Sequence, residues 1–313
     1  MLETMSAALL PVIILMLLGW LGGRQAYFRQ ADVSVLATLV MRYALPAALF
    51  LGALTTPPER IQNLPFIQCM LFGFIATYVL TLLLARFAFA HDLKSCAIQA
   101  MVCTFPDMAY FGAPILQQVC GAQGFIAVLI GNLITSFIIL PLTIILCRCS
   151  ELSTAGEGES LLRILRQSLL KTLSNPIVWL PILGVLCSFH HVHLPAALRE
   201  SVEMLARAAG GVSLLALGLL FHGERPVFNV QSASNVLIKN FLQPLLMGVG
   251  IVLFRVDAEF ARQALIIAAV PTAIAASMFA VRNRCYAQEA SHAVLIGTVV
   301  GVVAEAVLIG YLR

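Results

Sequence analysis

The chain has 313 residues, 60% of them hydrophobic and 11% charged, with a formal net charge of +4. Soluble domains carry about 25% charged residues, and here apolar runs long enough to cross a bilayer recur along the whole length. A soluble enzyme and a nucleic-acid-binding protein are therefore excluded in favour of a polytopic membrane protein of all-α class.

The N-terminus, MLETMSAALLPVIILMLLGWLGG, has no basic n-region, and its apolar run is too long for a signal-peptide core. It is the first predicted span. Apolar windows of about 20 residues give ten spans, at 5–23, 34–54, 66–89, 96–118, 123–147, 174–189, 202–221, 236–254, 260–281 and 290–312. The sixth is short and carries Pro176 and Pro181. The eight cysteines are scattered without a CxxC pair, which fits small core residues and no disulfide framework.

The fourth span departs from a plain apolar helix. Its sequence, CAIQAMVCTFPDMAYFGAPILQQ, places Pro106 and Asp107 near the middle and Pro114 further on. Proline removes a backbone donor and clashes with the carbonyl four residues back, so a break is expected there. A carboxylate at the bilayer centre costs about 2.5–3.5 kcal/mol on insertion scales and is rarely present without a role. A broken helix at midplane depth is how many transporters build a substrate site.

One long polar segment, 150–160, separates spans five and six. After it comes LLRILRQSLLKTL (161–173), with Leu161, Leu162, Leu165, Leu169 and Leu173 on one face and Arg163, Arg166, Gln167 and Lys171 mostly opposite. That pattern suits a helix lying in the cytoplasmic interface; an extended start of span six is the alternative.

The loops after spans 1, 3, 5, 7 and 9 hold Arg24, Arg29, Arg86, Lys94, Arg148, Arg163, Arg166, Lys171, Arg225, Lys239, Arg282 and Arg284. The opposite side holds Arg60, Arg199, Arg255, Arg262 and Arg313. Twelve against five places the odd loops, including that between spans five and six, in the cytoplasm and both termini outside. Arg42 and Arg207 fall inside spans.

Shifting the sequence by 165 residues pairs Pro11 with Pro176, Gly19 with Gly184, Arg42 with Arg207, Pro106 with Pro271, and Gln123 with Gln288. These pairs divide the chain into two halves of five spans each. An odd number of spans per half gives copies of opposite orientation, and breaks in corresponding spans point to a transporter site. The counterpart of the fourth span is ARQALIIAAVPTAIAASMFAV, where Pro271 is central among small residues that permit close helix approach.

With these pieces in place, the sequence resembles the auxin efflux carrier family, and within it the bacterial malonate-carrier branch. The matching stretches are PVIILMLLGWLGGR, MRYALPAALF, GAPIL, NPIVWLPILGV, IKNFLQPLL and VPTAIAASMFA, in order along essentially the whole chain. The resemblance implies ten spans in two inverted five-helix repeats, as in sodium/bile-acid-symporter-like folds, with spans 4 and 9 broken at their prolines and crossing. The halves would be 1–149 and 174–313, with 150–173 as a cytoplasmic loop and interfacial helix between them. Spans 1, 2, 6 and 7 would form a scaffold, often dimeric, and spans 3–5 and 8–10 an elevator-like transport domain. It further implies small organic anions as substrates, residence in a bacterial inner membrane, and no nucleic-acid partner. Two positions depart from the family pattern: Asp107 stands where many members have Asn, and Thr272 where they have Asn or Gln. Direct amide contacts to a substrate carboxylate are thus not expected at either position.

Breaking two spans would leave helix N-termini and free backbone N–H groups at mid-depth, a ready anion site. Pro106, Asp107, Met108 and Ala109, with Pro271, Thr272 and Ala273, would form it, and Thr104, Tyr110 and Ser277 are placed to add hydroxyls. The bland alternative is that both prolines only kink their helices, with neighbours satisfying the backbone. Asn132, Thr135 and Ser136 in span five either line the cavity or bond helix to helix. Asp107 either complements a helix N-terminus or carries a coupling cation, H+ or Na+; beside an anionic substrate an ionised carboxylate calls for one. An importer of dianions would face about 2.3 kcal/mol per charge per 100 mV, so cation coupling is expected. No other cofactor is expected. Arg42 and Arg207 either neutralise substrate charge or, as favoured here, snorkel or pair, Arg207 with Glu203, and Glu305 in span ten is a secondary ion candidate.

Other classes fare poorly. There is no HExxH, and His190, His191 and His193 cluster in a loop. Gly211-Val212-Ser213 has the GxS form of intramembrane serine proteases, but His222 and His292, the available bases, sit near span ends. A membrane sensor of carboxylates would need an output domain, which the sequence does not display. A uniporter or exporter of other weak acids remains the nearer alternative.

Overall fold

The computed structural model describes residues 2–29, 32–155, 166, 170, 173–192, 194–222 and 229–311. The predicted interfacial helix of 161–173 falls almost wholly outside these residues.

The described chain is helical. In order come α1 (Leu2–Arg24), α2 (Asp32–Thr55), α3 (Leu64–Phe87), α4 (Leu93–Thr104) and α5 (108–120). They are followed by α6 (Phe125–Glu151), α7 (Pro176–Phe189), α8 (Ala196–His222) and α9 (Val230–Phe254). The last three are α10 (Ala258–Ala269), α11 (Ile274–Arg282) and α12 (Ala287–Tyr311). Six of these, α2, α3, α6, α8, α9 and α12, are long and apolar enough to cross a membrane. The stretches predicted as spans four and nine are each cut in two, at Pro106 and Pro271.

Helix starts follow the local chemistry. Asn63, Asn175 and Asn229 accept the backbone N–H groups of Phe66, Ile177 and Ser232 at 3.0, 3.3 and 2.6 Å, satisfying donors that the first turn leaves over. Four helices contain a widened π turn: Val40–Ala44, Met108–Gly112, Thr135–Ile139 and Ile238–Leu242. In each case a proline follows two residues later: Pro46, Pro114, Pro141 and Pro244. The ring clashes with the carbonyl four residues back, and that carbonyl lies inside the π turn every time. The extra residue per turn relieves the clash without ending the helix.

Residues 165 apart share unusual backbone states. Left-handed φ values occur at Ala26 and His191 (58° and 51°), at Ala90 and Arg255 (52° and 53°), and at Gly121 and Tyr286 (64° and 55°). Asp92 and Asp257 both precede a helix, and Phe105 and Val270 both end one. Packing follows the same offset. Helix α1 lies against α8 and α7 against α2, while α3 packs on α9. A Cβ on Gly19 would come within 2.0 Å of the Leu215 carbonyl oxygen, and one on Gly184 within 2.6 Å of the Phe50 carbonyl oxygen. Leu215 and Phe50 are themselves 165 residues apart. Glycine is required at both crossings because the backbones touch.

Candidate functional site at the paired helix breaks

The two breaks are bonded to each other. Pro106 and Thr272 face one another in an antiparallel bridge. On either side of it the Asp107 N–H donates to the Pro271 carbonyl at 2.8 Å and the Ala273 N–H to the Phe105 carbonyl at 2.9 Å. The donors are the residue after Pro106 and the second residue after Pro271. All of Pro106, Asp107, Met108, Pro271, Thr272 and Ala273 are buried.

This pairing alters which groups are available to a ligand. The Asp107 and Ala273 N–H groups are used across the bridge, and the Met108 N–H donates to the Pro106 carbonyl at 2.9 Å. Three of the backbone donors expected from sequence are thereby engaged within the protein. The Asp107 carbonyl in turn accepts from Phe111 and Gly112 at 3.2 and 2.8 Å, starting α5. What the breaks still present are the positive N-terminal ends of α5 and α11. The side chains of Ala109 and Tyr110 lie outside the described residues.

The polar residues predicted around the breaks divide into two groups. Thr104 is fully buried and its hydroxyl has no protein partner; the amide nitrogen of Asn132 is likewise buried and unpartnered. By contrast Thr135 bonds the Gly131 and Asn132 carbonyls at 2.9 and 3.1 Å, and Ser277 bonds the Ile274 carbonyl at 2.9 Å. These two hydroxyls serve their own helices. Ser136 is half-buried.

Helix α9 supplies what sequence reasoning missed. Asn235, Lys239 and Gln243, spaced four apart on one face, are all fully buried. Asn235 accepts from the Gln99 side chain of α4 at 3.0 Å. The Lys239 ammonium donates to the Ala268 carbonyl at 2.9 Å, and the Gln243 amide donates to the Thr104 carbonyl at 3.0 Å. Those two carbonyls lie in the last turns of α10 and α4, whose ends lack the next turn of helix to bond them. One helix face therefore holds both broken ends. The topology count had placed Lys239 among loop charges; its side chain is in the interior, which leaves 12 − 1 = 11 against five. The signal was present in the sequence as IKNFLQPLL, three residues inside the predicted eighth span.

Glu305 on α12 is also fully buried, and neither carboxylate oxygen has a hydrogen-bond partner. Gln263 on α10 has both side-chain polar atoms in the same state. Arg42 is exposed, and Arg207 is largely exposed and lies 3.8 Å from Glu203. The expected approach of Arg207 to Glu203 is present.

Two cavities are lined by residues of the helices that follow the breaks, α5 in one and α11 in the other. One of about 380 Å³ is lined by Thr55, Ala113, Gln117, Arg199 and Arg207 among others. The second, about 430 Å³, includes Ser34, Leu220, Ser277, Met278 and Arg282. Thr55 and Leu220, Ala113 and Met278, Gln117 and Arg282, and Ser34 and Arg199 are each 165 residues apart. Among the described residues no group of His, Cys, Asp or Glu is arranged to hold a metal ion.

Residues 4–309 match a family model described as membrane transport protein. The chain is 25% identical to the uncharacterized transporter YfdV of Escherichia coli (strain K12), over 96% of this chain and 95% of that one. It is 21% identical to a candidate malonate transporter of Rhizobium meliloti (strain 1021), over 95% and 92% of the two chains. It is 26% identical to auxin efflux carrier component 5 of Arabidopsis thaliana, over 48% of this chain and 44% of the relative.

Proposed function

This chain belongs to the membrane transport protein family, that of the auxin efflux carriers, and we propose that it is a secondary active transporter of small organic anions. Short carboxylates such as malonate are the substrate class we assign, coupled to H+ or Na+. The observation that carries this reading is the bonding of two interrupted helices at the Pro106–Thr272 bridge. It sets two helix N-termini and unpartnered polar groups in the interior, as an anion site requires.

Ten spans in two inverted repeats, 1–149 and 174–313, form the proposed architecture, and 150–173 joins them on the cytoplasmic side. The shared left-handed turns and exchanged glycine contacts at an offset of 165 residues support it. In this arrangement α1, α2, α7 and α8 are the scaffold, also the surface of a homodimer, with both termini outside a bacterial inner membrane. The remaining helices carry the site between the two cavities in an elevator-like movement.

Substrate contacts are assigned to Thr104, Tyr110, Asn132, Ser136, Thr272 and Ser277 with the N-terminal turns after Pro106 and Pro271. Asp107 is assigned the coupling cation. Uptake of radiolabelled malonate into proteoliposomes, under imposed pH and Na+ gradients, is the test. Accumulation is expected in wild type, and Asp107→Asn is expected to lose its dependence on the coupling gradient. Full gradient-dependent uptake by Asp107→Asn would rule out that role, and no uptake of any short carboxylate would remove the substrate class.

A further inference from the structure

The interior holds a second set of ionisable groups that the assignment above does not use. Lys239 and Glu305 are both fully buried, on α9 and α12. Lys239 is anchored to the Ala268 carbonyl at 2.9 Å, in the last turn of α10 before Pro271. Its amino group is thus fixed beside one of the two breaks. Glu305 has two carboxylate oxygens with no hydrogen-bond partner. A carboxylate buried in that state is stable only with a proton or a nearby cation.

The cation at hand is Lys239. The helices packed against α12 also carry Arg24 on α1, Lys94, Cys96 and Cys103 on α4, Glu259 and Arg262 on α10, and Arg282 on α11. A Cβ on Gly301, one turn before Glu305 on α12, would come within 3.1 Å of the Pro271 ring, so Glu305 and Lys239 both lie about one turn from the same break. Glu289 and His292, on α12 itself, lie at least three turns away along the helix.

We propose that Lys239 and Glu305 form a proton-switched charge pair that sets the anion affinity of the broken-helix site. With Glu305 ionised, its charge cancels that of Lys239 and the site offers an anion little net attraction. A proton taken up by Glu305 leaves the ammonium uncompensated one turn from Pro271, and an anion then restores neutrality. Proton and anion bind together because either alone leaves a net charge in a region of low dielectric. The carboxyl gains the proton and no other bond forms or breaks. This rests on the reading of the breaks as an anion site, and it adds a proton site separate from Asp107.

Two measurements on the purified full chain test it. Infrared difference spectra across a pH titration, with no substrate present, are expected to show a carboxylic-acid band that Glu305→Gln removes and Glu305→Asp retains. Equilibrium binding of radiolabelled malonate is expected to tighten with acidification in wild type, by about tenfold per pH unit at most. Glu305→Gln is expected to bind with a weaker pH dependence than wild type, at the wild-type acid affinity, and Glu305→Asp to restore the full dependence. An infrared titration identical in wild type and Glu305→Gln overturns the switch, as does unchanged pH dependence of binding in that variant. Malonate that binds at no pH, with the infrared band present, instead removes the carboxylate reading of the site.

Discussion

Gln243 donates to the Thr104 carbonyl at 3.0 Å, a bond that exists only because α4 stops there. Gln243→Leu fills similar volume and leaves that buried carbonyl without a partner, at a cost of about 1–3 kcal/mol. The expected result is a lower midpoint of thermal unfolding in detergent. Lys239→Met removes a second such bond and also strips Glu305 of its counter-charge, for which about 3–5 kcal/mol is expected. The double variant Lys239→Met with Glu305→Gln should recover much of that loss. A simple sum of the two single effects would mean the pair does not interact. At this scale the sequence misled as often as it helped. Asn132, Thr135 and Ser136 looked alike as polar positions in an apolar span, yet Thr135 turns its hydroxyl back onto its own helix. Which carbonyl lies within reach of a hydroxyl depends on rotamer and packing, and residue type does not record that.

At the scale of helices, proline and glycine acted in opposite and legible ways. Prolines at 106 and 271 ended helices, whereas those at 46, 114, 141 and 244 only widened them. The difference lies in what surrounds each one. At 106 and 271 the freed backbone found a partner in the other break, and at the remaining sites one π turn absorbed the clash. Glycines 19 and 184 permit α1 and α7 to touch the backbones of α8 and α2. Leucine at either position forces those pairs apart. Gly184→Leu is expected to destabilise the fold by at least about 1–3 kcal/mol, seen as lower yield and earlier thermal unfolding. Gly211→Leu, where no atom lies within 4 Å of the added Cβ, should be mild by comparison. Equal tolerance at both sites would contradict the close crossing.

For the whole molecule, the informative feature is a pair of cavities partly lined by residues 165 positions apart. If the site is exposed to the two sides in turn, cysteines placed at Gln117 and Arg282 report opposite states. In a background with the native cysteines replaced, saturating substrate is expected to raise the reactivity of one toward an impermeant thiol reagent and lower that of the other. Reactivities that move together would count against alternating access.

The sequence by itself determined the all-helical membrane class, the two proline-interrupted helices and the 165-residue offset between matching residues. Composition, hydropathy and proline position are local quantities, and they survive without knowledge of the fold. Pro106 and Pro271 pair at the sequence level because they are 165 residues apart, each central in an apolar stretch. Only the tertiary structure decided what those breaks bond to. It engaged three of the expected backbone donors and moved Lys239 from a supposed loop into the interior. It also brought the α9 stripe of Asn235, Lys239 and Gln243 against α4 and α10. These outcomes turn on which atoms lie within hydrogen-bonding distance across helices more than 100 residues apart in some cases. Such distances are set by packing, and a linear pattern of residue types does not contain them.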